Sequence, residues 1–223
     1  MKKYIFVIIA IFVFTGCATI EPPVINTEGN TYYSSKTPSI HIELPLEFEY
    51  LGTIEKDFRA QQLNYSEHST KAKNTINIYG SITNNNYMKK LIVISVLKLS
   101  SGKRWSPETL INHRKLLKSN IVKLGDRNFQ YDIKARKTTG ILVAQYLLDK
   151  GITTPKCNMR MVFGRVFRDN IKMYISYYED VSNYNDFSVY SCEGWFEKEM
   201  LNDKQKEYLK EFEIRAHDSI KVQ

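Results

Sequence analysis

Residues 91–99 read LIVISVLKL, a stretch that is rich in β-branched residues and almost continuously apolar. A run of this length and composition is typical of a strand that is covered on both faces of its sheet. We therefore predict a central strand here, with the other elements of the domain packed around it.

Shorter strands are predicted before this stretch, at residues 40–51, 57–67 and 74–79. Pro45 should break or bend the first of them, because proline has no N–H to give to a sheet. Polar turns are expected at residues 69–74 and at the three consecutive asparagines 84–86.

A helix is predicted directly after the central strand. Ser106 is a suitable N-cap, Pro107 fits the first helical position and Glu108 favours the first turn. Apolar residues continue at helical spacing to residue 121. The helix should also carry a basic face, formed by Arg114, Lys115 and Lys118. This face would meet an anionic surface or partner, or it is an ordinary solvated helix face.

The second half of the chain reads as an antiparallel meander followed by a helix. Strands are predicted at residues 128–137, 140–149, 158–167 and 171–180. The run at 140–149 also fits a buried helix, but its neighbours favour a strand. A C-terminal helix is predicted at residues 202–217, and residues 219–222 should return to the sheet edge; the candidate core contacts of this helix are Leu209, Phe212 and Ile214. The fold class is therefore α+β, a single antiparallel-sheet domain with two main helices.

The order of these elements resembles a known family. The pattern contains a proline-broken strand at 40–46, a buried strand with a Ser-Pro-Glu helix at 91–121, a strand from Gly140 and a strand pair turning at 168–170. Over residues 39–223 it is similar to the PsbP-like domains, which are α/β/α sandwiches named after an extrinsic photosystem subunit. The resemblance implies a non-enzymatic binding or assembly protein, although the segment 57–90 departs from the family pattern.

The N-terminus, MKKYIFVIIAIFVFTGC, has the form of an export signal. Its apolar run at residues 4–14 is too short to span a bilayer but fits the core of a secretory signal peptide. Residues 14–17, FTGC, resemble the bacterial lipobox, with Phe14 in place of the usual leucine. The resemblance implies cleavage before Cys17 and acylation of that residue, for example with palmitate. The alternative is a plain signal peptide in which Cys17 has no role.

This interpretation divides the chain into a signal peptide at 1–16, a flexible tether at 17–38 and an envelope domain at 39–223. Acyl chains on Cys17 would hold the mature protein on a membrane. Ala18 stands where sorted lipoproteins that stay in the inner membrane commonly have aspartate, so the resemblance favours the periplasmic face of the outer membrane.

Charge and cysteine usage agree with export. The formal net charge is +8, of which Lys2 and Lys3 supply two, so anionic envelope components are suitable partners. Nucleic acid is the least expected partner outside the cytosol. Cys157 and Cys192 remain as an even pair in an oxidising compartment, where they would form a disulfide; two buried free thiols are the alternative.

The sequence contains no recognisable catalytic or metal-binding motif. His41, His68, His113 and His217 are too far apart for the common zinc patterns, and no cofactor is expected. The pairs Glu179–Asp180 and Glu197–Glu199 could act as acid and base in glycan cleavage. Adjacent residues of a strand point to opposite faces, however, which argues against the first pair.

These observations favour a lipid-anchored envelope protein with a non-catalytic binding or assembly role. Its partners would be the membrane, through the lipid, and an envelope protein or glycan. The alternative is an envelope hydrolase that acts on peptidoglycan or lipid. The aromatic residues that crowd positions 174–196 would form a binding groove or line the two sides of the sheet.

Overall fold

A computed structural model of the chain describes residues 25–27, 29–35, 37–62, 65–100, 104–105, 116–138, 142–168, 170–181, 192, 195 and 201–223. These residues form two antiparallel sheets and two helices, so the predicted α+β class is confirmed.

The larger sheet has seven strands in the order β4-β5-β6-β10-β9-β8-β7, all antiparallel to their neighbours. The predicted central strand lies in β6, between β5 and β10, and is confirmed. The strands are β4 (Glu49–Gln62), β5 (Tyr65–Ile82), β6 (Met88–Leu99), β7 (Lys118–Leu124), β8 (Arg127–Lys137), β9 (Cys157–Phe167) and β10 (Ile171–Asp180).

The smaller sheet has the order β1-β2-β3-β11 and joins both ends of the described chain. Its strands are β1 (Ile25–Asn26), β2 (Thr31–Ser34), β3 (Ile40–Glu43) and β11 (Lys221–Val222). The predicted tether at 17–38 was therefore too long, because its second half adds two strands and buries the Tyr32 ring. The last residues do return to a sheet edge, but it is the edge of this smaller sheet.

Each face of the larger sheet carries one of the two helices that the described residues form. Helix α2 (Asp203–Asp218) and the smaller sheet pack on what we call the α2 face, in a core that includes Ile92 and Ile94 of β6. Helix α1 (Leu142–Asp149) packs on the opposite α1 face, in a smaller core that includes Leu91 and Val93. Alternate side chains of β6 therefore enter different cores, as expected for a strand that is covered on both sides.

Helix α2 matches its prediction at residues 202–217. It starts with a capping box, in which Asn202 Oδ1 accepts from the Gln205 amide and the Gln205 side chain accepts from the Asn202 amide. Phe212 is fully buried and Leu209 is partly buried against the same core. Ile214, however, is 54% exposed, so its predicted core contact was wrong.

Residues 142–149 form helix α1, and the predicted strand at 140–149 was wrong. Val143 and Leu147 are four positions apart, so one helical face buries both of them. The amide of Gly151 donates to Leu148 O and that of Ile152 to Leu147 O, which is the Schellman arrangement that ends a helix. Gly151 takes the positive φ of 75° that this ending requires.

The predicted helix from Ser106 to residue 121 was wrong at its end. Residues 118–124 form β7, which pairs with β8 through the two-residue turn at Gly125 and Asp126. A ladder over all seven residues of β7 outweighs the helical spacing of the apolar residues there. Residues 106–115 lie outside the described residues. The turn expected at 69–74 was also wrong, since β5 runs through it without interruption.

Candidate functional site

Strands β8 and β9 bring several charged side chains together on the α1 face, beyond the part that α1 covers. Asp132, Lys134 and Arg136 alternate along β8, so they lie on the same face. Arg160 of β9 is directly opposite Lys134, and Asn158 is directly opposite Arg136. We call these five residues the Arg160 cluster: it contains three cations and one carboxylate.

The carboxylate of the Arg160 cluster is buried and only partly paired. Asp132 is 4% exposed, and its nearest cationic partner is Lys134, with 3.8 Å between Nζ and Oδ2. The second carboxylate oxygen, Oδ1, has no hydrogen-bond partner, and the same holds for the buried Nε of Arg160. A buried polar atom without a partner costs free energy, so these two atoms mark a place that water or a ligand would satisfy.

The amide of Asn158 extends the set of unpaired groups. Its Nδ2 donates to Thr138 Oγ1, whereas its Oδ1 is buried without a partner. The guanidinium of Arg160 lies 5.8 Å from the centre of the Tyr178 ring, within range of a cation–π contact. The cluster is therefore fixed by packing against its neighbours more than by internal hydrogen bonds.

Like charges face each other in the Arg160 cluster. Burial lowers the pKa of Lys134; Asp132 counteracts this effect, and Arg160 and Arg136 reinforce it. Two cations directly opposite one another in a sheet are destabilising. Burial also raises the pKa of Tyr174 to about 12, with Arg160 lowering it and Asp132 raising it, so this phenol stays protonated beside the cluster.

Lys172 is a further buried cation on the same face. Its ammonium lies 4.2 Å from the centre of the Trp105 ring and 5.2 Å from that of Tyr174. Burial lowers the pKa of Lys172 to about 8. The α1 face of β8–β10 is therefore a polar, cation-rich layer, in contrast to the apolar core beneath α1.

The α2 face holds a second group of charges, which we call the Glu179 cluster: Glu179, Arg215, Tyr177 and Tyr208. The Glu179 carboxylate accepts from Arg215 Nη2 at 2.9 Å and from Nε at 3.1 and 3.2 Å. It also accepts from the hydroxyls of Tyr177 at 3.2 Å and Tyr208 at 3.3 Å. Burial, reinforced by Glu179, raises the pKa of both tyrosines. This arrangement ties α2 to β10 and leaves no acceptor oxygen of Glu179 unused.

Glu179 and Asp180 do not form the acid–base pair considered from the sequence. Glu179 faces α2, whereas Asp180 accepts from the hydroxyl of Tyr87 at 2.6 Å. The two carboxylates thus have separate partners, as expected for neighbours on one strand. Glu197 and Glu199 lie outside the described residues.

A groove of about 800 Å³ lies where β4 and β5 extend past the end of β6. Among the described residues, four cationic side chains and one carboxylate line this groove. Apolar residues line it as well, and two of them form a small core with Phe58 and Trp105. The groove residues are Asp57, Phe58, Arg59, Lys71, Ala72, Lys73, Lys98, Leu99, Ser100 and Asn170.

Lys73 of the groove is paired with a carboxylate. Lys73 Nζ lies 2.8 Å from the Glu55 carboxylate, and this hydrogen bond raises the pKa of Lys73. Both side chains are more than half exposed, so the pair is weak. An anionic ligand could therefore compete with Glu55 for Lys73.

The predicted site residues are only partly within the described chain. Cys17, Arg114 and Lys115 lie outside it. Lys118, predicted on a basic helix face, is on β7 and pairs with the Glu213 carboxylate at 2.6 Å, so it is bound to α2. The patch of Arg114, Lys115 and Lys118 as a helix face was therefore wrong for Lys118, because the chain is extended there.

Cys157 and Cys192 have the geometry that the predicted bridge requires. Their sulfur atoms are 1.96 Å apart and their Cα atoms 5.5 Å apart. Both residues are buried in the core of the α2 face. A bond here joins β9 to the segment before α2.

The two histidine side chains within the described residues, His41 and His217, have separate partners. His41 Nδ1 lies 3.1 Å from Gln223 Oε1, and His217 packs edge-on against Phe163. His113 and the His68 side chain lie outside the described part. Within the described residues no three His, Cys, Asp or Glu side chains are grouped as metal ligands. No helix among them is long and apolar enough to cross a membrane.

Sequence reasoning missed both the Arg160 cluster and the groove. The signal for the cluster is visible in residues 131–136, YDIKAR, where charged residues alternate with apolar ones. That alternation places all three charges on one face of a strand, but it does not reveal that Arg160 lies opposite. The groove had no such signal, because its cations come from three different strands.

The chain was also compared with protein-family models, curated proteins and solved structures, and none of them matched.

Proposed function

We propose that this protein is a lipid-anchored component of the bacterial cell envelope with a non-catalytic binding role, and that its groove takes a phosphate- or carboxylate-bearing envelope component. The observation that carries the ligand class is the lining of the groove, four cations against one carboxylate.

Export and anchoring rest on the sequence of the N-terminus. The FTGC stretch at 14–17 supports acylation of Cys17, and Ala18 supports sorting to the outer membrane. The pairing of two buried cysteines at bonding distance suits an oxidising compartment. The ligand would then belong to the envelope, as a lipid headgroup, a glycan or the surface of a protein partner.

The finer fold assignment is part of this proposal. A helix on each face of one antiparallel sheet supports a PsbP-like α/β/α sandwich. The family resemblance in turn supports a binding or assembly role. The long strands β4 and β5 and the four-stranded second sheet are additions to the pattern that was recognised in the sequence.

Ligand binding is tested with vesicles and the unacylated mature chain, residues 17–223 carrying Cys17→Ser. We expect sedimentation with phosphatidylglycerol vesicles and not with phosphatidylcholine vesicles, and loss of binding in the double variant Lys71→Glu/Lys98→Glu. The matched control is Lys56→Glu/Lys89→Glu, which makes the same change in charge outside the groove. Equal loss in both double variants would show that net charge, not the groove, governs binding.

Further arms of the same experiment identify the source of the anion. Lipopolysaccharide and soluble peptidoglycan fragments, added as competitors, would displace the protein from vesicles if they occupy the groove. Failure of every anionic probe to bind would overturn the ligand assignment. Anchoring is tested separately by Cys17→Ala in cells, where we expect loss of processing and of sedimentation with membranes.

A further inference from the structure

The Arg160 cluster is a second polar site, separate from the groove and independent of the proposed anchoring. It lies on the α1 face of β8 and β9, whereas the groove lies at the far end of β4–β6. Three properties set the cluster apart from an ordinary charged surface: opposed cations, a buried carboxylate and unpaired polar atoms.

The excess of cations in the Arg160 cluster favours the binding of an anion. Lys134 and Arg160 are directly opposite each other, and Arg136 is the next residue of β8 on the same face. Asp132 is the cluster's carboxylate, and it lies 3.8 Å from Lys134. A bound phosphate or carboxylate group would relieve the repulsion between the cations, and the buried Nε of Arg160 would gain an acceptor.

The unpaired acceptor atoms of the cluster favour a ligand that also donates hydrogen bonds. Oδ1 of Asp132 and Oδ1 of Asn158 are both buried without partners, and these two residues are 4% and 3% exposed. A carboxylate group has no proton to donate to them, and monohydrogen phosphate has only one. A ligand with hydroxyl groups beside its charge satisfies acceptors and cations together.

The neighbouring side chains suit a hydroxylated ring. Tyr174 and Tyr178 lie on the same face as the cluster, and Tyr178 is in contact with Arg160. The Lys134 side chain is 18% exposed, so the cluster can be reached from solvent at this residue. Carboxylate and amide oxygens accept hydrogen bonds from hydroxyl groups, and the aromatic rings beside them offer an apolar surface to the ring of a ligand.

We propose that the Arg160 cluster binds a small anionic sugar, whose phosphate or carboxylate is held by Lys134, Arg136 and Arg160 and whose hydroxyls donate to Asp132 and Asn158. The shared chemistry is a negative charge next to hydroxyl groups. A sugar phosphate and a sugar acid are the two sources of that chemistry.

Calorimetry and thermal unfolding of the mature chain test this assignment with glucose 6-phosphate, glucuronate, inorganic phosphate and glucose as probes. We expect at least one of the two anionic sugars to bind and to raise the unfolding temperature, with glucose and inorganic phosphate about tenfold weaker. Equal binding of inorganic phosphate would overturn the role of the hydroxyls. No binding of either anionic sugar at millimolar concentration would overturn the site.

Variants locate the binding. Arg160→Met and Asp132→Asn should each weaken the anionic sugar at least about tenfold, whereas Lys89→Met, an exposed lysine on β6, should not change it. Binding that survives in both cluster variants would place the ligand elsewhere. The groove variant Lys71→Glu/Lys98→Glu should retain sugar binding, so failure of this assignment is distinguishable from failure of the proposed function.

Discussion

The two faces of the seven-stranded sheet differ in how completely their carboxylates are paired. On the α2 face, Glu179 meets one guanidinium and two phenols, and every acceptor it has is used. On the α1 face, Asp132 has one lysine at 3.8 Å and one oxygen without a hydrogen-bond partner, although further cations belong to the same cluster. Both carboxylates are nearly buried, so burial alone does not explain the difference.

The difference indicates two roles. A carboxylate with a full set of partners fixes the position of a helix, because breaking the set leaves a buried charge. A buried carboxylate oxygen without a hydrogen-bond partner, next to opposed cations, lowers the stability of the free protein. The same groups stabilise the protein only when a ligand binds to them. We therefore interpret the Glu179 cluster as structural and the Arg160 cluster as a binding site.

The largest effect is expected from the core beneath α2. Phe212 is fully buried, and its ring packs against the rings of Tyr177 and Tyr208. Phe212→Ala should therefore lower the free energy of unfolding by about 4 kcal/mol. The matched change on the other face is Leu147→Ala in α1, also fully buried, for which we expect about 2–3 kcal/mol.

Urea unfolding of both variants checks this order. We expect the smaller cost for Leu147→Ala because α1 is short and its core is small, so the sheet can remain folded when α1 loosens. A larger cost for Leu147→Ala than for Phe212→Ala would contradict the view that the α2 face carries the main core.

Removal of the cation from the Glu179 cluster should have the next largest effect. Arg215→Met leaves the 12%-exposed Glu179 with its tyrosine donors only, and we expect a loss of about 2–3 kcal/mol in urea unfolding. The internal control is Glu211→Gln, which removes the second, exposed partner of Arg215 and should cost less than about 0.5 kcal/mol.

The same substitution on the other face sharpens the contrast. Arg160→Met removes one of two opposed cations, so without ligand it should leave the stability unchanged or raise it slightly. A cost equal to that of Arg215→Met would mean that Arg160 is a structural residue, and the two clusters would then not differ in role.

Much of this architecture could be predicted because its signals are local. The continuous apolar run of β6 and the alternating pattern of β8–β10 fixed the centre of the sheet, and the Asn202 cap marked α2. The failures occurred where local signals allow two answers. Residues 142–149 are apolar enough for a buried strand or a short helix, and packing against β5 and β6 decided for the helix.

The candidate sites were beyond sequence reasoning for a different reason. The Arg160 cluster exists because β9 pairs with β8 in one register, and a shift by one residue would turn Arg160 to the opposite face. Pairing between strands that are some twenty residues apart is not encoded in either strand alone. The Glu179 cluster likewise depends on where α2 lies across β10.

A smaller effect is expected at Gly52, which lets α1 approach the sheet. Gly52 has φ 138°, and a Cβ there would lie 2.0 Å from the Tyr146 hydroxyl, so Gly52→Ala should cost about 2 kcal/mol. Gly29→Ala is the matched control, because its φ is also positive but nothing lies within 4 Å of the added Cβ; it should cost about 1 kcal/mol.

Part of the cost at Gly52 should be recovered by removing the obstructing hydroxyl. Tyr146→Phe in the Gly52→Ala background relieves the closest contact and leaves the ring carbon at 3.1 Å, so thermal unfolding should move back toward that of the parent. If the double variant is no more stable than Gly52→Ala, backbone strain and not α1 sets the cost.

The smallest effect concerns pH and the buried Lys172 on the α1 face. Its pKa is about 8 in the folded protein and near its ordinary 10.5 in the unfolded chain, so between these values the unfolded chain binds more protons. Stability should therefore rise with pH in this window, and the cost of burying the charge is fully present below pH 8.

In Lys172→Met this rise of stability with pH should disappear, whereas Lys89→Met should retain it. Urea unfolding from about pH 7.5 to 9.5 measures the difference in slope, before the tyrosines titrate in the unfolded chain near pH 10 and lower the stability of every variant. A slope that is unchanged in Lys172→Met would show that this lysine keeps its ordinary pKa in the native protein because its charge is solvated, and the α1 face would then carry one buried cation fewer.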